Sequence, residues 1–229
     1  MHTINRVITS EYPRITIDPG QYQSPYHLNT HELPVADITL RAHAHLNLVF
    51  NFPHDPIHAC IYRLHLKNHA RFTGYLEINS GTHHITIELY LHESCASALV
   101  YGTYQLRHQE SITIITHQHH YAPRTTSTIY LKGALHDKSQ SLYKGMIYVE
   151  KCAQQSQAQQ KIKNLLLGTH TKAQTLPHMK VLTNNVSCSH GAAIGNLDKN
   201  QIYYAQSRGI SIEKAHLLLV EAFLSSTRF

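Results

Sequence analysis

Apolar and polar residues alternate along most of the first 150 positions. Ile38, Leu40, Ala42, Ala44, Leu46, Leu48 and Phe50 interleave with Thr39, Arg41, His43, His45 and Asn47. A period of two over that length predicts one strand with one buried face. Residues 84–92 repeat the pattern, and shorter runs occur at 59–66, 111–116, 128–131 and 146–149. Gly, Pro, Asn and Asp punctuate these runs as turn signals. The pattern is mainly β. Sandwich, barrel and β-solenoid all fit it, and no exact repeat period singles out the solenoid.

Two later stretches differ. Residues 151–168 are rich in Ala, Gln, Lys and Leu, which favours helix by intrinsic propensity, a weak guide that tertiary context overrides. Asp198-Lys199-Asn200-Gln201 resembles a capping box, with an acidic N-cap and Gln at N3. It opens a short helix through Ile202, Tyr203 and Gln206, with Gly209 suited to the left-handed C′ position. Ser211 then caps a second helix over 212–224. Its Ile212, Ala215, Leu218, Leu219, Ala222 and Phe223 recur at helical spacing. Packing on its own domain and docking a partner satisfy that stripe equally well.

Composition adds constraints. The chain has 229 residues, 20 Lys+Arg against 14 Asp+Glu, a formal charge of +6 and 21 histidines. This length suits one domain, or one with a small appendage. An apolar content of 42% excludes disorder. No run approaches the ~18 apolar residues of a membrane span, and the opening residues lack a secretory pattern, so no membrane association is expected. Lys and Arg are scattered rather than striped, which argues against a nucleic-acid partner. Cys60, Cys95, Cys152 and Cys188 form no C-x-x-C pair, which argues against a zinc knuckle and a disulfide framework. A reducing, cytoplasmic setting is expected.

Histidine fills the deficit of charged residues, and its general placement predicts a pH-responsive surface. His43 and His45, like His117 and His119, place two imidazoles on one strand face about 7 Å apart. Such pairs can hold a metal together with a further carboxylate and histidine. No companion carboxylate stands at a diagnostic spacing. A histidine-rich metal-dependent enzyme on a β-solenoid or cupin-like scaffold is therefore the alternative class. Nucleophile elbows and phosphate-binding loops are missing from the sequence, so ATP hydrolysis would belong to another chain.

The segment 186–195, Val-Ser-Cys-Ser-His-Gly-Ala-Ala-Ile-Gly, turns Cys188 and His190 to one side if extended. Thiolate and imidazole together suit iron, zinc or copper, and a buried cysteine beside a turn is the simpler reading. Here the chain resembles the SufB/SufD family of iron–sulfur cluster assembly proteins. The likeness runs from His120-Tyr-Ala-Pro-Arg-Thr-Thr-Ser-Thr through Leu142-Tyr-Lys-Gly-Met-Ile-Tyr-Val149, Ala153-Gln154, Asn164-Leu-Leu-Leu167 and Pro177. It continues through Cys188-Ser-His-Gly-Ala192, Tyr203-Tyr-Ala-Gln-Ser-Arg-Gly-Ile-Ser211 and Glu221-Ala-Phe223. Gly191 after the histidine resembles the SufD type.

The resemblance implies a right-handed parallel β-helix core, here 1–195, and a small helical segment, 196–229. It implies strands for the glutamine-rich stretch as well. The implied role is a non-catalytic scaffold subunit that pairs with a SufB-like protein through the core. A SufC-like ATPase would dock on the helical end. Cys188 and His190 match family positions at the subunit interface implicated in cluster assembly, and they form the candidate ligand pair. Arg208, Gly209, Ile210, Ser211 and Glu213 match the docking region. No cofactor is expected to be held tightly by this chain; iron, a transient cluster or a flavin would belong to the complex. Relatives carry a helical region before the core and more helix after it, so the docking end is expected to be shortened. A homodimeric structural β-helix without assembly function is the third reading.

Overall fold

A computed structural model describes residues 6–7, 13–20, 25–52 and 57–225. Its strands are β1 Arg6–Val7, β2 Arg14–Ile17, β3 Tyr26–Asn29, β4 Val35–Leu40, β5 His45–Asn51, β6 Ile57–Leu66, β7 Arg71–Ile78 and β8 Thr82–Leu91. They continue with β9 Ser97–Leu106, β10 Ser111–His120, β11 Thr126–Leu135, β12 Gln140–Val149, β13 Gln157–Leu166, β14 Lys172–Val181 and β15 Ser187–Gly195. Two helices follow, α1 Lys199–Ser207 and α2 Ile212–Ser225.

From β2 onward the chain alternates between two sheets. Even-numbered strands stack in one, in the order β2-β4-β6-β8-β10-β12-β14, and odd-numbered strands stack in the other from β3 to β15. All of these pairings are parallel; only β1 lies antiparallel, along β2. The molecule is a parallel β-solenoid, as the resemblance implied. First-sheet strands begin at residues 35, 57, 82, 111, 140 and 172, so each coil tends to be longer than the last. A widening coil hides its repeat from any search for a fixed period.

Alternation survives in register. Each central strand buries every second residue between the sheets, and Leu40, Leu66, Leu91, Phe50, Phe72 and Ile85 are among those fully enclosed. The expected single strand over 38–50 is two strands, β4 and β5, joined by a turn at 41–44. That turn has an even number of residues, so Ala44 and Leu46 re-enter on the inward phase and the break leaves no trace in the pattern. Residues 157–166 form β13 despite their helical propensity, because ladder pairing with β11 and β15 satisfies both backbone edges.

His43, His69, Cys95, Arg124 and Gln155 all adopt left-handed backbone, with φ between 55° and 62°. They occupy equivalent positions in successive turns from the first sheet to the second. Each amide donates to a carbonyl of the following turn: Asn68, Ser94, Pro123, Gln154 and Asn185, in that order. This corner is a continuous ladder of strained residues held by backbone hydrogen bonds.

The interior changes along the axis. The early coils are mainly apolar, whereas Thr116, Gln118, His120, Ser127, Ser141, Gln160 and Asn164 are buried in the later ones. His120 is enclosed, with Nδ1 2.7 Å from the Thr125 hydroxyl and Nε2 2.7 Å from the Ser127 hydroxyl. His58 and His83 are also buried, so the expected histidine surface does not extend to these three positions. From Thr116 to His120 both faces of β10 carry polar residues, so this half of the inward phase has no apolar signature to reveal it.

The helices cap as their sequences predict. The Asp198 carboxylate accepts from the Asn200 amide, at N2 rather than N3, and Gly209 takes φ +81° after the C-cap Arg208. The Ser211 hydroxyl accepts from the Lys214 amide at 3.3 Å. α2 folds back over β11 with Ala215 and Val220 buried, whereas Ile212, Leu217 and Leu218 face outward. The buried face is thus rotated from the expected stripe. The helix is apolar around most of its circumference, so spacing alone does not choose a side; its anchor does. Lys132, buried under the helix, donates from Nζ to the Phe223 carbonyl at 2.6 Å. The ammonium also lies 4.9 Å from the Phe223 ring centroid.

Candidate functional site

Cys188 and His190 lie on β15, the last strand of its sheet. Parallel pairing sets Cys188 opposite Ala158 and His190 opposite Gln160. Ala158 and Gln160 belong to the buried phase of β13, so both candidate residues face the interior side of the solenoid. No strand is paired beyond β14 or β15 among the described residues, and burial fades accordingly along both. The solenoid therefore has an open end, with Cys188 and His190 on its inner lip.

The two side chains differ in environment. Cys188 is half-buried and packs with Val181 and Val186 against a cluster of Ile147, Val149, Ala153 and Ala158. Burial pushes its thiol above the ordinary range, with a backbone hydrogen bond at Ala158 opposing the shift. The neutral thiol is thus the resting form, and metal binding requires its deprotonation. His190 is exposed. Among the described residues no group of three or more His, Cys, Asp or Glu side chains stands ready to hold a metal ion. Cys188 and His190 supply two donors, and further ligands must come from outside this chain. All four cysteines are free thiols.

The docking residues form the junction between the helices. The Arg208 guanidinium lies 5.3 Å from the Tyr204 ring centroid. The Ile210 amide donates to the Ala205 carbonyl at 3.1 Å and so closes α1. The Glu213 backbone amide, and after it the Ser211 hydroxyl, hold the Glu213 carboxyl below its ordinary range. Sequence reasoning missed the apolar surface beside this junction. Tyr203 is 74% and Tyr204 61% exposed, and a cleft of about 440 Å³ between the helices is lined by Tyr204, Ala205, Ala215, Leu218 and Leu219. Nothing in a short helix distinguishes an aromatic that will be covered from one that stays uncovered.

The histidine pairs do not assemble as expected. His43 is a turn residue, not a strand residue; its ring stacks on His69 at 5.1 Å, while His45 begins β5. His117 and His119 do share the outer face of β10, with ring centroids 5.9 Å apart. His119, however, is stacked between Tyr90 at 4.9 Å and Tyr121 at 6.0 Å, and His117 lies 3.8 Å from Glu88. Their rings belong to a surface ladder of imidazoles and phenols that includes His65, whose Nδ1 is 3.0 Å from His92 Nε2. Burial lowers the pKa of His65, His92 and His119.

Comparison with known proteins gives one consistent answer. The family model "SUF system FeS cluster assembly, SufBD core domain" matches residues 20–223. The iron–sulfur cluster assembly protein SufD of Escherichia coli is 35% identical over 92 residues, 40% of this chain and 22% of that protein. An iron–sulfur cluster assembly SufBD family protein of Synechocystis sp. is 36% identical over 85 residues, 37% of this chain and 19% of that protein. The chloroplastic protein ABCI7 of Arabidopsis thaliana is 36% identical over 88 residues, 38% of this chain and 18% of that protein. The aligned segments thus span about a fifth of the length of these relatives.

Proposed function

The chain belongs to the SufB/SufD family of iron–sulfur cluster assembly proteins, and from that membership we propose that it is a SufD-like scaffold subunit. In this reading it catalyses nothing itself. A SufB-like protein adds to the unpaired edges of β14 and β15, continuing both sheets across the junction. A SufC-like ATPase covers the exposed face around Tyr203, Tyr204, Leu217 and Leu218, with the turn from Arg208 to Glu213 at its centre. Nucleic acid and membrane have no place in the scheme, and no described helix is long and apolar enough to cross a bilayer.

The observation that carries this reading is the placement of Cys188 and His190 on the inner lip of the open end. A partner seated there encloses a thiol and an imidazole at the junction and contributes the missing donors. Iron or a nascent cluster is then cargo, held transiently between subunits, and a flavin would belong to the assembled complex. Hydrolysis in the ATPase would pull on α1 and α2 and shift the cores against each other, exposing the pair for loading.

Co-expression with SufB-like and SufC-like partners tests the proposal. One co-eluting species on size exclusion is expected, and elution of this chain always alone overturns it. Within the complex, Cys188→Ala or His190→Ala is expected to lower cluster formation at least tenfold without releasing the partners. Unchanged cluster formation with partners bound would leave only a structural role.

A further inference from the structure

Gln160 is fully buried, and neither its amide nitrogen nor its amide oxygen has a hydrogen-bond partner among the described residues. An orphaned polar atom at such a position costs about 1–3 kcal/mol, so two on one side chain call for an explanation. The surroundings make room for the amide. A Cβ added at Gly145, on the facing sheet, would collide with Gln160 Oε1 and with the Tyr143 hydroxyl. The Tyr143 hydroxyl bonds Thr116 at 2.6 Å and makes no hydrogen bond to the amide. Across the sheet, Gln160 has Ile129 on one side and His190 on the other, both in register. Ile129 offers no polar atom. His190 is the polar neighbour, about 4.8 Å away strand to strand and on the same face.

We propose that Gln160 is a positioning residue for His190, its amide oxygen holding the proton of one imidazole nitrogen through one bridging water. The other ring nitrogen is then left as a lone pair directed away from the interior, towards whatever occupies the open end. A neutral imidazole carries one proton, and the bond made by one nitrogen decides which nitrogen can ligate. Gln160 sets that choice from beneath, and Gly145 provides the space that lets it do so. The functional meaning of this arrangement rests on the cluster-handling role proposed for His190; the contact itself does not.

The test is nitrogen NMR of the full chain labelled at histidine, at a pH where the ring is neutral, with His190 assigned by comparison with His190→Gln. The two ring-nitrogen shifts are expected to show one dominant tautomer, biased about fivefold relative to free imidazole, as one net hydrogen bond supplies. Gln160→Met should abolish the bias while the circular dichroism spectrum and unfolding midpoint are kept or improved. A free-imidazole ratio in the wild-type chain, or a bias that persists in Gln160→Met, overturns the proposal, and the wild-type measurement suffices if a variant fails to fold. Loss of cluster assembly in His190→Ala is read separately, so failure of the contact and failure of the assembly role are distinct results.

Discussion

Between pH 7 and pH 5 the interior imidazole of His120 makes folding proton-linked. Burial, with a smaller contribution from His119, lowers its pKa to about 4 from an unfolded value near 6.5. In that window the unfolded chain binds the proton and the folded one does not. The stability His120 contributes is therefore present above pH ~6.5 and lost as pH falls towards 4. Denaturant unfolding at pH 7 and pH 5 should differ by about 2 kcal/mol from this group. His120→Gln should flatten that difference while keeping contacts to Thr125 and Ser127. Gly133 makes the opposite kind of prediction. A Cβ there would strike the Tyr104 ring and Asn164 Oδ1, which are hydrogen-bonded to each other at 2.5 Å. Gly133→Ala should lower stability by roughly 2–3 kcal/mol in the same assay. At the strained corner, Gln155→Gly should raise it by about 0.5 kcal/mol, since relief of left-handed strain exceeds the entropy glycine adds to the unfolded chain. His120 also marks what sequence could not convey at this scale. Its neighbour His119 faces solvent, and two adjacent histidines give no sign of which one is enclosed.

Among the elements, α2 depends on an anchor remote in sequence. Lys132 meets the negative end of the helix at the Phe223 carbonyl, where the partial charges of the last turn favour a cation. Its pKa is lowered, mainly by burial and further by Lys163 and Lys161. Lys132→Met keeps most of the apolar stem and removes the charge. Hydrogen exchange across 212–225 should then accelerate about tenfold or more, with the amides of β7 to β11 unchanged. Equal acceleration in both regions would mean that the lysine supports the sheet rather than the helix. The strands were legible because alternation is read directly from polar and apolar positions, and 84–92 and 111–116 fell inside β8 and β10 apart from His92. The turn after Leu40 was not, since 41–44 preserve the phase. Cys188 and His190 could be placed on one side of a strand from spacing alone. That this side is the inner one, at the last rung, depends on register with β13 and lies beyond local pattern.

For the whole molecule, each coil touches only its neighbours, so stability is expected to be distributed along the axis rather than shared equally. Exchange protection should peak in the middle coils, β7 to β11, and fall towards β15, whose outer edge is unpaired. Binding of a partner at that edge should raise protection of β14 and β15 first. Uniform protection from β3 to β15 in the isolated chain would contradict an open end.

The lengthening of the coils carries a consequence for self-association. β2 and β3 have 4 residues each, whereas β12, β13 and β14 have 10. The solenoid is a tapered rod, and β1 already lies along the edge of β2 at its narrow end. A wide end cannot find its match on a narrow one, so copies stacked head to tail would leave most of each terminal strand bare. Runaway filaments, the hazard of any unpaired strand edge, are disfavoured by this mismatch between strand lengths.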